Sequence, residues 1–245
     1  MTPIWPRAHG PAVASAVFKA SPEDFLVREE LGFEPDGEGE HAFLCLEKRL
    51  LNTSDLVQRL SALAGVHPRD IGFSGMKDRQ AVTRQWFSVG LAGRPEPDWT
   101  ALESRGDVAV LAASRHRRKL KRGVHRRNWF RVRLKDVHGD RTGILARLDT
   151  LARAGSPNYF GEQRFGRDGA TLDQARRWMA GGARRVSRNR RSLYYSALRA
   201  CLFNLALADR VRRGTWNRLE AGDTCLLHGT RSLFEAAEPD AALQA

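Results

Sequence analysis

Apolar and polar positions along this chain switch between two periods. From Asn52 or Thr53, either suited to cap a helix, Leu56, Val57, Leu60 and Leu63 recur at helical spacing until Gly65 breaks the pattern. Three further helical patterns follow. Ile144 to Ala152 and Leu172 to Met179 are amphipathic, the second closing at Gly181-Gly182. Ser192 to Val211 is longer, with Leu193, Ala197, Leu198, Cys201, Leu202, Leu205 and Leu207 as its apolar positions. Between these lie shorter runs that read as strands. Ala16 to Glu30 is broken by the turn signal Ser21-Pro22-Glu23-Asp24. Ala42 to Leu46, Ile71 to Gly75 and Gln85 to Val89 follow, and Trp129 to Leu134 alternates apolar residues with arginine. Strands and helices are interspersed, so the expected class is α/β in the mixed α+β sense. Residues 1–16 form a proline-containing arm, and a largely helical region is expected from about Gly155.

Charge sharpens this picture. The 245 residues suffice for a substantial core, and 41 Lys and Arg against 28 Asp and Glu give a formal charge of +13. A polyanionic partner, nucleic acid first, fits that excess. Its placement matters more than its sum. Ser114 to Lys135, SRHRRKLKRGVHRRNWFRVRLK, packs thirteen Lys, Arg and His residues around Trp129 and Phe130. Cations neutralise phosphates while an aromatic ring accepts a splayed base, so this mixture suits single-stranded or looped RNA. A solvated strand with its aromatics in the core explains the run less well, because so dense a charge repels itself without a counter-anion. A second cluster, Arg184, Arg185, Arg188, Arg190 and Arg191, repeats the theme. The candidate RNA contacts are Arg117, Arg118, Lys119, Arg126, Arg127, Arg184, Arg185 and Arg188.

Cys45, Cys201 and Cys225 are far apart and show neither CxxC nor Cys/His ligand spacing, so no zinc site or disulfide framework is expected. No apolar run is long enough for a signal sequence or a membrane helix, and a soluble, reduced, cytoplasmic protein is the expectation.

In Gly75-Met76-Lys77-Asp78-Arg79-Gln80 a carboxylate follows a glycine-bearing turn and sits between two cations. Its charged form is favoured, as a nucleophile or an electrostatic stabiliser requires, although polar loop aspartates are more often turn or cap residues. In Asn158-Tyr159-Phe160-Gly161-Glu162-Gln163-Arg164-Phe165-Gly166, two glycines each follow an aromatic. A tightly packed turn is expected there, serving as a hinge or as a substrate contact.

Taken in order, FKASPEDFLV at 18–27, GMKDRQAVTRQWFSV at 75–89, RHRRKLKRGVHRRNWF at 115–130 and NYFGEQRFG at 158–166 resemble the hallmark motifs of TruD-type pseudouridine synthases. The resemblance implies cofactor-independent isomerisation of uridine in tRNA, in this family usually at position 13, with Asp78 as the nucleophile, acting by attack on C1′ or by assisting glycal formation. The lysine, glutamate and phenylalanine of the first motif fall on Lys19, Glu23 and Phe25, and the asparagine and phenylalanine of NxF on Asn128 and Phe130. Such residues surround the target nucleotide in the family. The resemblance also implies a catalytic domain, here 1–154, interrupted by a mostly helical RNA-gripping module, here 155–245. In the family the chain then returns to the catalytic domain. This sequence stops while the insertion should still be in progress, so a fragment or a shortened variant is expected. The partner is tRNA, bound by a monomer, with no metal and no membrane. Two other readings stay open at this level: a non-catalytic RNA-binding fragment or degenerate homologue, and an acid/base hydrolase pairing Glu23 or Asp24 with Asp78.

Overall fold

The computed structural model describes residues 4–181, 185–227 and 232–238, which divide into two compact units. One is Ser15–His138. The other combines Met1–Ala14 with Gly139–Ala245.

The Ser15–His138 unit is built on β1 (Ala14–Phe18), β2 (Phe25–Glu30), β3 (His41–Arg49), α1 (Thr53–Ala64), β4 (Ile71–Phe73), β5 (Val82–Gly90), β6 (Val108–His116), β7 (Arg127–Val132) and β8 (Leu134–Gly139). Strands order as β6-β3-β5-β2-β7, with β4 also on β5, and β1 pairs separately with β8. Along β3, Ala42, Leu44, Leu46 and Lys48 alternate onto one face. There Ala42, Leu44 and Leu46 join Phe87 and Val89 of β5 and Leu56, Val57 and Leu60 of α1 in the main core. Burial of each of these large aliphatic side chains contributes about 1.5–3 kcal/mol. The helix ends at Gly65, whose left-handed φ of 61° a side chain would oppose.

One detail of strand order positions the candidate site. A single edge of β5 is shared. β2 runs parallel along its first half, Leu26 opposite Val82, while β4 runs antiparallel along its second half, Phe73 opposite Phe87. The chain between Phe73 and Val82 must travel back past β2 with the edge already occupied. It therefore rides over the face of β2 that carries Phe25, Val27 and Glu29, and on that loop sit Lys77 and Asp78.

The expected strands are present, β3 and β5 longer than their apolar runs, β4 shorter and the Trp129 run ending at Val132, while β6 and β8 are additions. β6 lies partly inside the basic run, its Val108 in the main core beside β3. Past β6 the basic segment crosses β4 so closely that a Cβ at Gly72 would lie 2.2 Å from the Leu120 carbonyl oxygen. Only glycine tolerates that approach.

The second unit holds α2 (Arg141–Ala154), α3 (Ala170–Met179), α4 (Arg188–Arg213) and the hairpin β9 (Asp223–Leu226) and β10 (Leu233–Ala236). The helix expected over Ile144 to Ala152 is present as α2 and starts three residues earlier, where Asp140 caps it by accepting from the Gly143 N–H. Phe165, Leu172, Ala200 and Cys201 form its core. Buried Asn204 of α4 holds the main chain of Phe160 through two bonds of 2.9 Å, one from the Phe160 N–H and one to its carbonyl. Trp5 of the leading arm stacks on Tyr159 at 5.7 Å. The aromatic-glycine motif is thereby anchored within this unit.

Candidate active site and basic surfaces

Asp78 Oδ2 accepts a 2.7 Å bond from Lys19 Nζ, and the Asp78 side chain is 39% exposed, so it is both paired and reachable. Lys19 adopts a left-handed φ of 56° in the turn between β1 and β2. That turn brings its ammonium over the Phe25 ring at 3.8 Å and beside Phe18 at 5.4 Å. Phe25 touches Phe18 edge-on at 5.5 Å and Phe130 at 5.9 Å. Phe130 is 61% exposed. The result is a carboxylate, a cation and a cluster of open aromatic rings together, contributed by segments as far apart as Phe18 and Phe130.

β7 places Phe130 opposite Val27 and Asn128 opposite Glu29, on the same face. Asn128 Nδ2 meets His125 Nε2 at 3.0 Å, which leaves its buried Oδ1 without a partner among the described residues. Beneath the loop, Lys77 Nζ and Glu29 Oε2 form a 2.5 Å ion pair, with side chains 7% and 0% exposed. Glu29 Oε1 also accepts from the Trp86 main-chain N–H at 3.2 Å. The Lys77 N–H donates to Thr53 Oγ1 at 3.0 Å, Thr53 donates to Gln85 Oε1, and Gln85 Nε2 donates to the Gly75 carbonyl. The first residue of α1 and the middle of β5 therefore hold the loop on both sides of Met76.

Of the sequence candidates, Asp78, Lys19, Phe25 and Phe130 are brought together, with Asn128 adjacent on β7. Glu23 is engaged elsewhere: its carboxylate takes a 2.5 Å bond from Arg49 Nε on β3, and that guanidinium holds its pKa below the usual carboxylate range. Asp24 is fully buried. Burial works to raise its pKa, but Lys135 and the N–H and hydroxyl of Ser21 outweigh this and keep the group below its ordinary value. Both alternative partners that the hydrolase reading gave Asp78 are thus committed to other cations. Phe18, Glu29 and Lys48 were not singled out from the sequence, yet strand parity points to two of them. Glu29 continues Phe25 and Val27, and Lys48 continues Ala42, Leu44 and Leu46, at inward positions.

A groove of about 380 Å³ on the opposite face of β2 is lined by Arg28, Arg84, Trp129 and Arg131. Arg127 stacks on Trp129 at 4.8 Å and, with the Trp129 indole, binds Glu30 and lowers its pKa. Among the remaining candidate RNA contacts, Arg117 pairs with Glu38 and Lys119 donates to the Arg69 carbonyl. Arg118 is exposed, and Arg126 approaches Glu30 at 3.8 Å. Arg185 and Arg188 are exposed at the start of α4, and Arg184 lies outside the described residues. The first turn of α4 carries arginines and no acidic residue, against the preference set by the helix dipole. That concentration of positive charge suits an anion.

A family model described as tRNA pseudouridine synthase D (TruD) matches residues 12–174. A tRNA pseudouridine synthase D of Methylococcus capsulatus is 51% identical over 98% of this chain and 67% of its own length. One from Chromohalobacter salexigens is 47% identical over 98% and 69%. The chain thus spans about two thirds of the length of these curated relatives. A crystal structure described as tRNA pseudouridine synthase D from Methanosarcina mazei superposes with a TM-score of 0.61 at 22% identity. That match covers 85% of this chain and 63% of that one, and it is a likeness of fold.

Proposed function

This chain belongs to the tRNA pseudouridine synthase D family, and from that premise we propose that it isomerises uridine to pseudouridine in tRNA, at position 13, with Asp78 as the nucleophile. The observation that carries the reading is the Lys19–Asp78 pair set against the exposed rings of Phe18 and Phe130. Isomerisation breaks the N1–C1′ bond, turns the uracil without releasing it and joins C5 to C1′, with C5 giving up its proton and N1 taking one up. A carboxylate must meet the ribose while the base is gripped. Lys19 pairs with the Asp78 carboxylate through Oδ2, leaving Oδ1 to attack C1′. Phe130 and Phe18 offer stacking faces to a flipped base, and the unpartnered Asn128 Oδ1 accepts from its polar edge.

The Ser15–His138 unit carries the chemistry, and the helical unit, with Arg185 and Arg188 at the start of α4, grips RNA. Flipping the target costs a few kcal/mol, which phosphate binding by both basic groups offsets. No described helix is long and apolar enough to cross a membrane. Mass-spectrometric detection of pseudouridine in an unmodified tRNA transcript tests the proposal, with a transcript bearing cytidine at position 13 as control. Binding of both transcripts without product would support a purely RNA-binding role instead.

Charge removal at the basic run has its own signature. Replacing Arg117, Arg118 and Lys119 with Ala should weaken all tRNAs alike and flatten the dependence of log Kd on log salt by roughly 0.7–0.9 for each phosphate no longer neutralised. Filter binding across a salt series reads the slope, and an unchanged slope places these side chains away from RNA.

A further inference from the structure

Lys48 is only 1% exposed, although it ends an inward row whose other members, Ala42, Leu44 and Leu46, are apolar. Its ammonium donates to two main-chain carbonyls: Leu51 at 2.7 Å, in the turn between β3 and α1, and Asp78 at 2.9 Å. The same two segments are tied a second time, because Arg79 Nε donates back to the Leu50 carbonyl at 3.2 Å. Leu50 itself holds a left-handed φ of 54°.

We propose that Lys48 is a positioning residue for the reaction, its buried ammonium clamping the main chain of Asp78 to the turn between β3 and α1. The inference rests on Asp78 being the nucleophile. Lys19 binds the carboxylate, while Lys48 holds the main chain of the same residue, so Asp78 is held at both ends. A methionine would fill the same volume without the cost of burying a charge, and what it could not do is donate to two carbonyls.

The charged groups facing Lys48 are Asp78 and Lys77, both on the loop. Its strand partners Thr83 and Val108 are uncharged, and the nearby start of α1 presents the Thr53 hydroxyl. Burial brings the Lys48 pKa down to about 8, with Lys77 adding to the effect and Asp78 opposing it. Between about pH 8 and its ordinary value of 10.5 the unfolded chain holds this proton and the folded chain has lost it. The contribution of Lys48 to stability therefore rises across that window while its charge-assisted clamp is released. Activity and stability move in opposite directions, which a merely structural lysine would not produce.

The test uses the full chain, single-turnover pseudouridine formation from pH 6.5 to 9.5, and amide hydrogen exchange at Lys77 to Arg79. The wild-type rate should fall above about pH 8 with one ionisation, without loss of melting temperature over that limb. Lys48→Met should be slower by roughly 10- to 100-fold, since small misplacements of a reacting group cost that much. It should lack the alkaline limb, bind tRNA normally and exchange its loop amides about tenfold faster, with β5 unchanged. Lys48→Arg should recover part of the rate and carry the limb to higher pH. A Lys48→Met chain with the wild-type rate and limb overturns the proposal and assigns the limb to another cation such as Lys19. Should Lys48→Met not fold, NMR titration of the wild-type lysine decides, and no transition between pH 7 and 9 overturns the proposal. A wild-type chain without activity counts against the proposed function, while exchange and titration still judge the clamp.

Discussion

Asp78→Asn is expected to lower single-turnover pseudouridine formation by on the order of 10⁴-fold or more, with tRNA affinity within about threefold of wild type. That loss corresponds to roughly 5 kcal/mol of transition-state stabilisation. The carboxamide keeps the size of the side chain and its carbonyl oxygen can still face Lys19, so the site retains its shape. What disappears is the anionic oxygen that can bond to C1′. Because Asp78 is partly exposed, the Lys19 ammonium left behind can be solvated, and melting temperature should change little. Rapid quench with mass-spectrometric quantification gives the rate. Residual turnover within tenfold of wild type would remove Asp78 from the nucleophilic role.

The second large effect is on stability. Glu29→Gln leaves the Lys77 ammonium almost without solvent and without its counter-charge, and it weakens the acceptor of the Trp86 N–H. Breaking one side of a buried pair typically costs about 3–5 kcal/mol. For a chain of this size each kcal/mol is worth roughly 2–4 °C in Tm. Catalysis should fall as well, since Lys77 directly precedes Asp78 on the loop. The paired replacement Glu29→Leu with Lys77→Met should recover much of the stability, because no lone charge is then buried. Calorimetry of the two single variants and the double variant separates these effects. A loss below about 1 kcal/mol for Glu29→Gln would mean that water reaches the pair.

Much of the architecture was legible in the chain. The spacing from Leu56 to Leu63 and the stop at Gly65 announced α1, and the patterns near Leu172 and Ser192 announced α3 and α4. Periodicity works for these three helices because each buries one face, and burial of one face imposes a period on the side chains. Four ordered motifs likewise pointed to the family and to Asp78. β6 was hidden, because its second half runs into the arginines of the basic segment and only its pairing with β3 shows it to be sheet.

The partners of the candidate site lay beyond any local pattern. Lys19 meets Asp78 across 59 residues and Lys48 across 30. Strand parity says that Glu29 and Lys48 point inward, but not what awaits them there. Glu23 shows the converse: it accompanies Lys19 in the same motif, yet the fold gives it to Arg49 on β3. The sequence by itself determined the main helices, the central strands β2, β3 and β5, and which carboxylate stands between two cations in a polar loop. The tertiary structure decided that this loop lies over β2, because β2 and β4 share one edge of β5 and leave the intervening chain no place within the sheet. Periodicity reports whether a residue is buried, whereas strand order and register determine what it is buried against.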